Sequence, residues 1–237
     1  MAGPPVAPLS APGIVGYDLV VSSAGSAAGR HSFDLVVVVA SLGGLPVIRT
    51  VLAGLPDTFR LPLLIVLHGM PSENRDRLSW LLQRQTALPI RTARQGMPAL
   101  AAGITIIPGG FAATIDSGHQ ICLAKARIMG GDELLCSAAA ASNPGAVIAV
   151  VLTGMLHDGA AGARAVKRRG GIVLAQDPAT ARAPSMPSSA IATGCVDYVL
   201  APEGIAPALI ALTMASTGAG LLTASASPVA DRADCSP

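Results

Sequence analysis

Three side chains that could together cleave an acyl bond stand just past apolar runs of this sequence. Ser41 follows Leu35-Val36-Val37-Val38-Val39-Ala40, His68 follows Leu63-Leu64-Ile65-Val66-Leu67, and Asp158 falls in the loop after the run Ala146 to Leu152. A serine hydroxyl is a weak nucleophile at neutral pH. It needs an imidazole to take its proton, and the imidazole needs a carboxylate to hold the right tautomer. Each residue also has a plainer role: Ser41 as a helix N-cap, His68 as a hydrogen-bonded residue at a strand end, Asp158 as a cap ahead of Gly159. Asp177, at the end of another apolar run, is a competing acid, and Pro178 after it suits a turn, which ranks it second. The remaining histidines, His31, His119 and His157, have weaker settings. Gly43 and Gly44 permit a tight strand-to-helix turn and close approach of a carbonyl, so that backbone N–H groups at the start of the helix would face a developing oxyanion.

Positioning such residues requires an edge where several strand ends converge. Short apolar runs alternate here with longer patterned segments, the pattern of an α/β domain: a doubly wound, mostly parallel sheet with helices on both faces. The runs at 35–40, 63–67, 146–152, 172–175 and 196–200 read as strands. A helix is expected from just after Ser41 to about Gly54, another around Leu78, Leu81, Leu82 and Gln85, and a third after Asp158 ending near Gly170-Gly171. Between residues 103 and 123 the pieces shorten, and Asp116-Ser117-Gly118 marks a turn, so a small antiparallel hairpin is expected there. In an open parallel sheet the carboxyl ends of the strands form the ligand edge. Ser41, His68 and Asp158 all fall on it.

Composition narrows the choices. Of the 237 residues 51% are hydrophobic and 13% charged, enough to bury one sizeable core. A net charge of +2 is too small for a phosphate-binding surface, and no basic stretch is interleaved with aromatics, so nucleic acid is not an expected partner. No GxxxxGK[ST], complete GxGxxG or HExxH is present, so neither a cofactor nor a metal is expected. Cys122, Cys136, Cys195 and Cys235 are scattered and read as reduced thiols. No secretion signal or membrane span is recognisable, which points to a cytoplasmic protein without membrane insertion. Residues 1–33 and 213–237, rich in Ala, Gly, Pro and Ser, read as flexible segments around a catalytic domain at 34–212.

The motifs Val39-Ala40-Ser41-Leu42-Gly43-Gly44, Val66-Leu67-His68 with Met70-Pro71, Leu152-Thr153-Gly154-Met155-Leu156-His157-Asp158-Gly159-Ala160-Ala161-Gly162, Ala175-Gln176-Asp177-Pro178 and Ser185-Met186-Pro187 occur in one order. Together they resemble the catalytic domain of the protein-glutamate methylesterases (CheB), over residues 33 to 212. The resemblance implies a triad of Ser41, His68 and Asp158, with the backbone N–H groups of Leu42 and Met155 as the oxyanion hole. It also implies a hydrolase of methyl esters on glutamyl side chains of methyl-accepting chemotaxis receptors, with glutamine deamidation as a further activity. Arg164, Lys167, Arg168 and Arg169 could border the site. Three features depart from the family pattern: Gly69 is inserted after the histidine, Leu156 replaces a glycine of the enteric enzymes, and no receiver domain precedes the catalytic segment, so a stand-alone form is expected. The inserted Gly69 and the missing receiver domain motivate a second reading, a catalytically silent receptor-binding or scaffold module of the same fold; a third is a hydrolase of the same mechanism whose substrate is not a chemoreceptor.

Overall fold

β1 (Leu35–Ala40) is buried along its whole length. Its β-branched residues suit a strand enclosed on both faces, and it has a neighbour on each side: β2 (Leu63–Leu67) and β8 (Val147–Val151), both parallel to it. The computed structural model describes residues 33–69, 76–126 and 130–216. Apart from Phe33 and residues 213–216, the expected flexible segments lie outside these ranges, as does Met70-Pro71. Beyond β2 come β5 (Ile104–Ile106) and β3 (Ile90–Thr92); beyond β8 come β9 (Ile172–Gln176) and β10 (Tyr198–Leu200). The seven strands run β10-β9-β8-β1-β2-β5-β3, all parallel.

Alternation along the strands divides the core in two. Val36, Val38 and Ala40 face one side with Leu63, Ile65 and Leu67. This face is covered by α1 (Gly44–Ala53), α2 (Arg77–Gln83) and α6 (Pro202–Ser216), through residues such as Ile48, Leu82 and Leu209. Leu35, Val37 and Val39 face the other side with Leu64 and Val66. There α3 (Gly131–Ala141), α4 (Ala160–Arg168) and α5 (Ser185–Ile191) pack, contributing Leu134, Val166 and Met186. The doubly wound reading is thus observed, with three helices on each face among the described residues.

A second sheet, β4-β7-β6, is antiparallel and joins β4 (Met97–Pro98), β6 (Phe111–Ile115) and β7 (Gln120–Lys125). Its β6–β7 hairpin turns at Asp116, whose carboxylate accepts the N–H groups of Gly118 and Gln120. The hairpin therefore lies where it is expected, but Ile104–Ile106 belongs to the main sheet, paired parallel with β2 and β3. The reason is burial: all three residues are enclosed, as a central strand requires and a flap does not. Cys122 and Cys136 are free thiols, whereas Cys195 is disulfide-bonded, contrary to the reading of four reduced thiols. Among the described residues, no helix is long and apolar enough to cross a membrane.

Candidate active site

From β1 the chain proceeds outward through β2, then returns to lay β8 on the other flank of β1. The strand order reverses between β1 and β8, and the carboxyl edge at such a reversal is where open α/β sheets place their ligands. Ser41 leaves β1 at this edge, and its N–H donates to the Thr153 carbonyl at 3.0 Å. His68 leaves β2 one register position after the Ala40–Leu67 pair, with its N–H on the Ala40 carbonyl at 2.9 Å. Adjacent strands lie about 5 Å apart, so Ser41 and His68 are next-door neighbours. Continuing the strand alternation turns both side chains toward the face of Val39 and Val66.

Asp158 arrives on that same face from the β8–α4 loop and is 1% exposed. Its Oδ2 lies 3.2 Å from His68 Nε2. The contact is close but is not aligned as a hydrogen bond, and Nε2 has no other partner among the described residues. At this distance the pair can close to a hydrogen bond, as contacts of this kind commonly tighten when substrate binds. Burial pushes the His68 imidazole below its ordinary value of 6.5, against the opposing pull of the Asp158 and Glu133 carboxylates.

A cradle at the start of α3 fixes the acid. Gly131 N–H donates to Asp158 Oδ2 at 3.0 Å and Asp132 N–H to Oδ1 at 2.9 Å, so the carboxylate meets the positive end of the helix. Only glycine fits at 131, because a Cβ there would stand 2.3 Å from Val39 and 2.7 Å from Asp158 Oδ2. Sequence reasoning missed α3 and its part in the site. The available signal was Gly130-Gly131-Asp132-Glu133 ahead of a Leu- and Ala-rich run, acidic residues in a first turn.

The turns around Ser41 are crowded. A Cβ on Gly154 would come within 2.8 Å of the Ser41 Cβ and 1.9 Å of Met186 Sδ. Gly43 is left-handed at φ +82°, and the stem of exposed Arg182 lies against it. Thr153 ties the walls together: its hydroxyl donates to the Leu42 carbonyl at 3.0 Å and accepts the Ala183 N–H at 2.9 Å. Leu42 and Met155 N–H donate to no protein acceptor among the described residues. Both side chains are exposed, as is Leu156, which is held left-handed at φ +69°. Gly69 is left-handed at φ +79°, in a turn just after His68, and no atom of the described residues lies within 4 Å of a Cβ built there.

The structure thus brings His68 and Asp158 into contact beside Ser41. Asp177 stands apart, with its carboxylate on the Ala179 N–H at the start of a 3-10 turn, Pro178–Thr180. Of the cations on and after α4, Lys167 pairs with Asp197, and Arg169 donates to the carbonyls of Ala139 and Ser142. Arg164 and Arg168 are exposed.

Known proteins similar to this chain share one description. A family model described as CheB methylesterase matches residues 36–209. The protein-glutamate methylesterase/protein-glutamine glutaminase of Moorella thermoacetica is 36% identical over 219 residues, covering 85% of this chain and 49% of that protein. Protein-glutamate methylesterase/protein-glutamine glutaminase 1 of Carboxydothermus hydrogenoformans is 34% identical over 196 residues, 77% of this chain and 56% of its own. The chain spans about half the length of these two relatives. A putative protein of the same description from Leptospira interrogans is 30% identical over 192 residues and matched over 95% of its length. Among solved structures, the Thermotoga maritima CheB methylesterase catalytic domain superposes with a TM-score of 0.69 at 32% identity, covering 76% of this chain and 98% of that one.

Proposed function

The chain belongs to the CheB methylesterase family, and from that premise we propose that it is a serine carboxylic-ester hydrolase that removes methyl groups from glutamyl side chains of methyl-accepting chemotaxis receptors in the cytoplasm. Ser41 Oγ attacks the ester carbonyl while His68 takes its proton. Asp158 faces Nε2, so Nδ1 is the nitrogen left to accept from the serine. The negative oxygen of the tetrahedral intermediate is held by the free N–H groups of Leu42 and Met155. Its collapse breaks the ester C–O bond, and His68 returns the proton to the departing methoxide, releasing methanol. Water then attacks the acyl-serine by the same proton path and yields free glutamate and Ser41. A glutamine side chain follows the same course with ammonia as the leaving group.

The contact between His68 and Asp158 at 3.2 Å, at the register position opposite Ser41, carries this reading. The test is methanol release from a methyl-esterified receptor fragment, with Ser41→Ala as the control. Wild-type release abolished in the variant is expected. A folded wild-type protein that releases no methanol, or a Ser41→Ala variant that keeps more than a small fraction of the rate, overturns it. Binding of the fragment without turnover would instead identify the silent module, and turnover of other esters alone a different substrate.

A further inference from the structure

α3 and α4 cap each other. Asp158, just ahead of Gly159 and α4, accepts the Gly131 and Asp132 N–H groups at the start of α3. In return Asp132 Oδ1 accepts the N–H groups of Gly159 at 3.0 Å and Gly162 at 2.7 Å, at the start of α4. The two helices also meet at Gly162, where a Cβ would lie 2.4 Å from that of Leu135. Each carboxylate therefore satisfies donors that would otherwise be orphaned on the other's helix. Only one of them, Asp158, touches the imidazole.

We infer that Asp132 is a positioning residue for the proposed triad: it locks the segment carrying Asp158, and through it the orientation of His68. This inference rests on the reading of His68 and Asp158 as base and acid. Without the Asp132 acceptor, Gly159 N–H loses its partner, and Gly159 is the residue bonded directly to Asp158. Burial holds the Asp132 carboxyl above the ordinary 3.8, against the pull of the Gly162 and Gly159 N–H groups and with Asp158 and Glu133 adding to the rise. A carboxylate under such pressure needs its two donors, and the geometry depends on them. Both bonds end on one oxygen, Oδ1, so an asparagine can keep them while giving up the charge.

The experiment compares Asp132→Ala with Asp132→Asn in the full chain. Turnover of the ester should fall about 10- to 100-fold in the alanine variant, as a small misplacement of a catalytic group produces, with KM nearly unchanged, and asparagine should restore most of it. An NMR titration of His68 supplies a readout independent of turnover. Asp158 and Glu133 are the charged groups acting on that imidazole. Displacing Asp158 removes its upward pull, so His68 should titrate at lower pH in Asp132→Ala than in Asp132→Asn. Asp132→Ser, with a short acceptor, replaces alanine if that variant does not fold. Equal turnover and equal His68 titration in folded alanine and asparagine variants overturn the inference. A His68 difference in a protein that cleaves no ester keeps the inference and defeats the proposed function instead.

Discussion

The neutral imidazole is the form of His68 that can accept the Ser41 proton, and burial favours it. Because burial pushes its value below 6.5, the acid limb of kcat/KM for an ester should be centred below pH 6.5. A pH–rate profile whose acid limb is centred above 6.5 contradicts this. Stability follows the same sign: a depressed value contributes stability that is present above pH 6.5 and lost as pH falls through the folded value. Melts recorded across that range should show this component, and His68→Gln should lack it. The two acids separate just as sharply. Asp158→Asn should lower kcat by about 10⁴-fold through the wrong tautomer, whereas Asp177→Asn, which alters only a turn bond to Ala179, should leave kcat within about twofold. Steady-state kinetics of the pair decide it, and the reverse order would move the acid to Asp177.

Among the elements, the loop between β8 and α4 carries the tightest constraints. Gly154→Ala forces a methyl group into Met186 Sδ and the Ser41 Cβ; it should cost about 1–3 kcal/mol, as overpacking does, and depress kcat by displacing Ser41. A variant with unchanged melting and turnover would show that α5 gives way freely. Leu156, left-handed and 55% exposed, has the opposite expectation: Leu156→Gly removes a strained conformation and should raise stability by about 1 kcal/mol in denaturant titration. The strands were readable because β1, β2 and β8 are uninterrupted aliphatic runs, and the helix starts because Gly43 and Gly159 interrupt the chain just after them. β3 and β4 were not readable: three and two residues carry no period. Ile104–Ile106 reads as part of the hairpin because its burial depends on β2 and β3, which only the fold supplies. Asp132 was missed for a related reason: its value lies in two N–H groups of a distant helix, and no local spacing announces that.

For the whole molecule, the sheet is strongest at its centre. β1 is flanked on both sides and covered on both faces, while β3 and β10 are three-residue strands at the two edges. Hydrogen exchange should therefore be slowest in β1, β2 and β8 and faster in β3, β10 and β4, because local opening follows the density of buried contacts. Mass-spectrometric or NMR exchange reads this order, and a β1 that exchanges with the edges would contradict it. The reversal of strand order at β1 has a consequence for the making of the protein. Synthesis runs from the N-terminus, so the serine and the histidine emerge early and can settle side by side on β1 and β2. Their acid, and the helix that cradles it, emerge only after the hairpin sheet is complete. An unfinished chain, or one cut ahead of β8, holds the proposed nucleophile and base with nothing to orient them. On the proposed reading, hydrolytic competence therefore arises only once β8 has crossed over beside β1 and the loop after it is in place.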